Sequence, residues 1–264
     1  MNLVIALDLE TLEQNLSLIK SLNSINDLKG DFGLDFAVPK TPKDSKIWLK
    51  VGLRAFVRDG INGIEAIKKV CDLPIFLDLK IYDIPNTMAD AINECAKIGI
   101  DMLTIHASAG KRAMQEIMAR LDKLDSTKPL IMAVSALTSF SEAEFSEVYH
   151  TSIAQAVREF GEACAKSRID GMVCSVQECA LIKQSHPQLL TLTPAIRPQI
   201  NQNEPNKNNP NKDDPNKKDD QRRVASLQEA HSAGADFIVI GRPIYQSPSP
   251  QKALQDILLQ MQNL

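Results

Sequence analysis

Two aspartates and two lysines stand where the chain is otherwise building an apolar core. In FLDLKIYDIPNT (76–87), Asp78 and Lys80 interrupt a run of Phe76, Leu77 and Leu79, and Asp83 follows. Lys50 sits in IWLKVG (47–52), Asp8 in LVIALDL (3–9) and His106 in DMLTIHA (101–107). A strand alternates sides with a period of two. Asp78 and Lys80 therefore share a side with Phe76, opposite Leu77 and Leu79. Lys50 opposes Leu49 and Val51. Asp8 lines up with Val4 and Ala6, and His106 with Met102 and Thr104. Buried charges are costly unless paired, and these can pair with one another. Ammonium and carboxylate groups meeting at one place make an electrostatic catalytic site the natural reading. Each residue alone has a plainer one. Asp8 is placed to cap a following helix, Lys50 to carry its head out along an apolar stem, and His106 to be a satisfied core histidine.

Something must hold these groups together. Short apolar runs alternate with longer segments of helical period. Strands are expected at 3–9, 47–52, 74–80, 101–107, 129–137, 171–176, 189–194 and 236–242. Leu12, Leu16, Ile19 and Leu22 recur as one face of a helix does. Similar patterns cover 60–71, 86–98, 109–124, 151–168, 177–184, 224–233 and 250–262. Gly99 and Gly234 fall where a helix C-terminus takes glycine. Eight strands alternating with helices predict an α/β fold, a (β/α)8 TIM barrel forming one domain over 1–264. An open doubly wound sheet is the alternative. It usually carries a glycine-rich turn after its first strand, whereas here Asp8-Leu9-Glu10 follows. In a barrel the apolar sides pack on the helices and the polar groups point inward. Each polar group lies near a strand's C-terminal end, the end that carries the active site in this fold.

The rest of the composition narrows the classes. The 264 residues are 44% hydrophobic, enough for one large core, and the net charge is −3. No basic excess points to nucleic acid. No run of about 18 apolar residues occurs, so no membrane span is expected. The start MNLVIALDLE lacks the basic region and cleavage site of a signal peptide. The five cysteines are odd in number and form no CxxC. Neither a disulfide framework nor a zinc site is expected, and the cytoplasm is the natural setting. Two segments fall outside the strand–helix rhythm. One is an insertion at about 23–45. The other, NQNEPNKNNPNKDDPNKKDDQ (201–221), repeats Pro-Asn-Lys and has no face to bury. It is expected to be a mobile low-complexity loop, centred on about 200–219.

In order along the chain stand ALD (6–8), LKVG (49–52), DLKIYDIPNT (78–87), IHAS (105–108), LTS (137–139), TPAIRP (193–198), DQRR (220–223) and GRP (241–243). On these motifs the chain resembles the orotidine 5'-phosphate decarboxylase family, which makes UMP from OMP at the end of de novo pyrimidine synthesis. DxKxxD is shared with sugar-phosphate aldolase relatives on the same barrel. DIPNT, TPxIRP and DQRR are more specific to the decarboxylase.

The resemblance implies decarboxylation without metal or organic cofactor, so the protein itself must stabilise a vinyl carbanion at C6. It implies Lys80 as proton donor to C6 and Asp78 as the carboxylate beside the substrate's own. Lys50 pairs with Asp78 and the ribose, and Asp8 meets a ribose hydroxyl. Asp83 and Thr87 are implied to cross the interface of a homodimer. Thr138 belongs at the base, and Arg197, Gln221, Gly241 and Arg242 at the phosphate. Two departures stand out. Ala195 occupies a place where the family often has glycine, and the polar repeat stretches the loop that folds over the phosphate. Two other readings stay open here. A hexulose-phosphate synthase acting with Mg²⁺ shares DxKxxD but does not call for DIPNT or DQRR. A non-catalytic nucleotide-binding barrel would not need to retain all four charged residues.

Overall fold

A computed structural model describes residues 1–23, 45–124, 128–198 and 223–264. Most of the expected 23–45 insertion, the polar repeat at 201–221 and Gln221 lie outside the described residues.

Each strand is followed by helix. The order is β1 (Asn2–Ala6), α1 (Leu12–Asn23), β2 (Ile47–Gly52), α2 (Leu53–Val70), β3 (Ile75–Ile81), α3 (Pro85–Lys97), β4 (Met102–His106) and α4 (Gly110–Leu121). There follow β5 (Leu130–Val134), α5 (Glu142–Tyr149), α6 (Ile153–Lys166), β6 (Gly171–Val173), α7 (Val176–Ser185) and β7 (Leu190–Thr193). The chain ends with α8 (Leu227–Ser232), β8 (Phe237–Ile240), α9 (Arg242–Tyr245) and α10 (Pro250–Gln262). The strands close in sequence order, and β8 returns to pair parallel with β1. Closure leaves no free sheet edge, which excludes the open doubly wound alternative.

Strand alternation divides the apolar residues into two layers. Val4, Ala6, Trp48, Phe76, Met102, Met132 and Phe237 fill the barrel. Trp48 meets Phe237 edge to face with ring centroids 5.5 Å apart. Leu3, Ile5, Leu49, Leu77, Leu103 and Ile131 belong to the second layer, between sheet and helices. The expected facing of Ile5, Leu7, Leu49, Val51 and Leu77 toward the helices is what the fold contains.

The end of the barrel away from the charged cluster is fastened by a repeated device. An aspartate just before an even-numbered strand accepts from a backbone N–H near the start of the odd strand before it. Asp101 takes Ile75, Asp170 takes Ile131 and Asp236 takes Thr191, each at 2.8 Å. These bonds satisfy donors where the barrel ladder begins. Among the described residues, S-x-x-E boxes start helices at Ser141 with Glu144, Ser175 with Glu178, and Ser226 with Glu229. Gly99 and Gly234 have φ of 70° and 81°, as helix C-termini with glycine require.

Several elements depart from the periodic reading. The strands expected at 129–137 and 171–176 end early, because Ala136 and Leu137 enter a loop and Ser175 caps α7. Helix α5 was not expected: its eight residues bury only Phe145, too little for a stripe. Helix α2 begins seven residues before the expected 60, because Gly60 at φ 58° breaks it internally. The front part carries an exposed apolar face, the reverse of the pattern that marks a buried helix.

Candidate active site

The charged groups meet at the carboxyl end of the strands. Lys50 is buried at the end of β2, only 8% exposed. Its Nζ lies 3.3 Å from Asp8 Oδ1 and 3.7 Å from Asp78 Oδ2. Lys80 Nζ donates to Asp78 Oδ1 at 2.8 Å. The result is a row of alternating sign: Asp8, Lys50, Asp78, Lys80. Each charge has an opposite neighbour, which offsets the desolvation of the inner pair. Asp8 points to Lys50 and does not cap α1. Thr11 and Gln14 do that by exchanging backbone-to-side-chain hydrogen bonds.

Asp78 lies at the centre, its side chain 15% exposed. Burial alone would push its carboxyl up. Lys50, Lys80 and the Thr104 hydroxyl outweigh that and hold it below its ordinary value. Thr104 is fully buried in β4. Its Oγ1 donates to Asp78 Oδ1 at 2.9 Å and accepts the Lys80 backbone N–H at 2.9 Å. One hydroxyl thus fixes both the carboxylate and the backbone that presents the lysine.

Lys80 is not on a regular strand. Its φ is 53°, in the left-handed region that lysine rarely adopts. Leu77 pairs with Leu103 and Ile81 with Ile105, a step of four on β3 against two on β4. This bulge re-aims the side chain, as bulges beside active sites do. Alternation placed Asp78 and Lys80 together, but the contact is made by this departure from alternation.

Neighbouring residues support the row. A Cβ on Gly52 would stand 3.1 Å from Lys50 Nζ and 3.2 Å from Asp8 Oδ1, so any side chain there would crowd the pair. Arg54 donates to the backbone oxygens of Asp8 and Leu9, and Arg58 to those of Leu9 and Glu10. Both arginines come from the front of α2 and hold the turn that carries Asp8. His106 is partly buried at the mouth, its ring centroid 5.7 Å from Tyr82, and is not a core residue. Burial, and then the Lys80 charge, lower its pKa; Asp78 works against them.

The other expected residues are spread around the same end. Asp83 is exposed on the β3–α3 connection, where its carboxylate accepts the Ile84 N–H at 2.6 Å. It makes no ion pair with Lys50 or Lys80, so the row does not include it. Thr87 is exposed in the first turn of α3. Thr138 is buried just beyond β5. Arg197 follows β7, while Gly241 and Arg242 follow β8. The loops after strands seven and eight are where this fold often holds a phosphate. Gly241 has a packing reason as well, since a Cβ there would meet Tyr245 at 3.1 Å and Ala6 at 3.2 Å. Thr104, Gly52, Arg54, Arg58 and Arg223 had no role assigned from sequence. Thr104 gave one signal, a polar residue on the side that Met102 and His106 share.

A closed parallel barrel with a lysine–carboxylate row at the carboxyl end of its strands defines a TIM-barrel enzyme site. A model of the Orotidine 5'-phosphate decarboxylase / HUMPS family matches residues 34–257. The chain is 48% identical over 259 residues to an orotidine 5'-phosphate decarboxylase of Campylobacter jejuni subsp. doylei, covering 98% of this chain and 99% of the relative. It is 43% identical over 262 residues to one of Campylobacter concisus, covering 99% and 100%. Among solved structures, the orotidine 5'-phosphate decarboxylase of Lactobacillus acidophilus superposes with a TM-score of 0.69 at 27% identity, over 98% of both chains. The chain belongs to the orotidine 5'-phosphate decarboxylase / HUMPS family.

Proposed function

We propose that this chain decarboxylates orotidine 5'-phosphate to UMP, with Lys80 as proton donor and the Asp8–Lys50–Asp78–Lys80 row as the electrostatic machinery. The observation that carries this is the 2.8 Å contact of Lys80 Nζ with an Asp78 carboxylate that is itself held by Lys50 and Thr104. The C6–carboxylate bond breaks, CO₂ leaves, and the electron pair remains on C6. A fixed ammonium at Lys80 stabilises that pair and then transfers one N–H proton to C6. Solvent restores the proton to the amine. Because the row is built before charge develops, little reorganisation is needed at the moment of reaction.

The substrate's carboxylate lies beside Asp78, and its ribose meets Asp8 and Lys50. Thr138 borders the base. Arg197, Gln221, Gly241 and Arg242 serve the phosphate end, and an arginine fork suits phosphate bidentately. No metal or organic cofactor takes part. The curated relatives at 43–48% identity carry the decarboxylase name, which favours this reading over the hexulose-phosphate synthase reading.

The enzyme works as a homodimer in the cytoplasm, with Asp83 and Thr87 completing the partner's site. Asp83 stands outside its own chain's row, between Tyr82 and Ile84, exposed by 63% and 66%. Leu53, Val57 and Ile61 are exposed apolar residues of α2, which leaves the adjacent strand at the same end of the barrel. These exposed apolar residues support an association surface at that end of the barrel. Among the described residues no helix is long and apolar enough to cross a membrane. Mixing Asp83→Ala with Lys80→Ala protomers tests the shared site: activity must return on mixing, and its absence in confirmed mixed dimers refutes the sharing.

The test of function is direct. Purified protein is given OMP, with and without a chelator, and the absorbance change to UMP is followed. Turnover that survives chelation is expected. A folded protein that binds UMP yet leaves OMP unchanged refutes the reading, and turnover abolished by chelation favours a metal-dependent relative.

A further inference from the structure

We propose that Arg223 is a positioning residue, tying the phosphate-end backbone to the loop that carries Thr138. The inference rests on the decarboxylase reading above. Arg223 lies two residues before Ala225, which forms a parallel bridge with Ile196. Arg197 N donates to Ala225 O at 2.8 Å, and Ala225 N to Ala195 O at 3.3 Å. The backbone beside Arg223 is therefore yoked to the one beside Arg197.

The side chain of Arg223 reaches the other way. Nη1 donates to Glu178 Oε1, and Nη2 to Leu137 O at 3.0 Å. Leu137 is the residue before Thr138. The second oxygen of Glu178 is already engaged, accepting the Ser175 N–H at 2.7 Å and the Ser175 hydroxyl. Glu178 is thus both the N-terminal cap partner of α7 and the counter-ion of the bridge. The side chains of Arg223 and Glu178 are 13% and 7% exposed.

A pair this buried is weak ground for stability, because desolvation offsets much of its attraction. What it supplies is geometry. The guanidinium fork is split, one prong on a carboxylate and one shared by two consecutive backbone carbonyls, Leu137 O at 3.0 Å and Ala136 O at 3.4 Å. A lysine offers a single point charge and cannot span both. Arg223 therefore fixes the Leu137–Thr138 backbone from the side of the barrel that receives the phosphate. A phosphate contact that settles the Arg197 segment bears on the base through this bridge.

The test is Arg223→Lys, which keeps the charge for Glu178 and gives up the second prong. With OMP, kcat is expected to fall on the order of tenfold to a hundredfold, the scale of an ångström-sized misplacement. The thermal midpoint should stay close to wild type. In the background of Thr138→Ala the two losses should overlap rather than multiply, since both act at one loop. A folded Arg223→Lys protein with wild-type kcat and KM overturns the proposal, as do losses that multiply. If Arg223→Lys does not fold, the double variant Arg223→Met/Glu178→Met keeps the volume without a stranded charge. It must show the same fall in kcat, and wild-type kcat there also overturns the proposal. A wild-type chain that does not turn over OMP overturns the functional reading and this inference with it. An active wild type with an unaffected variant overturns the inference alone.

Discussion

Lys80 Nζ lies 2.8 Å from Asp78 Oδ1, and the backbone between these two residues leaves the strand conformation to bring them together. Left-handed backbone costs a non-glycine residue about 1–2 kcal/mol. The fold carries that strain at the residue proposed to do the chemistry, which is where strain tends to collect. Stability separates the two roles of the position. Lys80→Gly is expected to be more stable than Lys80→Ala by up to about 1 kcal/mol, once the entropy glycine loses on folding is subtracted. Denaturant titration of the two variants checks this. A less stable Lys80→Gly contradicts the strain argument.

Thr104 gives a second prediction. Thr104→Val keeps the shape and removes the hydroxyl, leaving the Lys80 N–H without its acceptor. A buried donor stranded in this way costs about 1–3 kcal/mol. Turnover should fall on the order of tenfold or more, because carboxylate and lysine both lose their registration. Thr104→Ser should recover most of both. Wild-type kcat in the valine variant would remove Thr104 from the account.

Ala195 stands at φ 65°. Glycine at this position relieves about 1–2 kcal/mol of left-handed strain and loses about 0.4–1 kcal/mol through the freer unfolded chain. Ala195→Gly is therefore expected to stabilise slightly, read as a raised unfolding midpoint. A clear destabilisation says that the alanine methyl contributes packing that outweighs the strain.

The Asp78 carboxyl is held below its ordinary value of 3.8, with burial opposed by Lys50, Lys80 and Thr104. For a carboxylate depressed in the fold, the stabilisation is complete above the unfolded value and is lost as pH falls through the folded one. The unfolding free-energy difference between wild type and Asp78→Asn should be constant near neutrality and move against wild type below about pH 4. A difference that moves in favour of wild type on acidification has the wrong sign for this site.

The parts of this site that were legible from sequence share one physical cause. A polar residue in a barrel strand has only the interior or the mouth to face, so Lys50 and Asp78 betrayed their direction by period alone, whereas Asp8, inside the strand expected at 3–9, lies two residues past the end of β1. The apolar layers followed from the same rule, and the closed barrel followed from eight repeats of strand and helix. What was not legible depends on contacts between distant parts or on backbone that no residue type announces. Nothing in a lysine signals φ 53°. Thr104 reads as an ordinary strand residue until β3 and β4 are brought side by side. Arg223 meets Leu137 only after most of the barrel has closed. The front of α2 was hidden because Leu53 and Val57 are exposed, the reverse of the buried apolar face that marks a core helix. Asp83 sits outside its own chain's row, and its assignment across a dimer rests on the family resemblance.

Lys80 is the residue proposed to carry the chemistry. Wild type and Lys80→Ala, both shown folded and both able to bind UMP, should be compared for kcat/KM on OMP without added metal. Loss of the charge and of the proton donor together should lower kcat/KM by more than about 10⁴-fold. A Lys80→Ala enzyme within about tenfold of wild type, less than removal of a single general acid usually costs, contradicts the account.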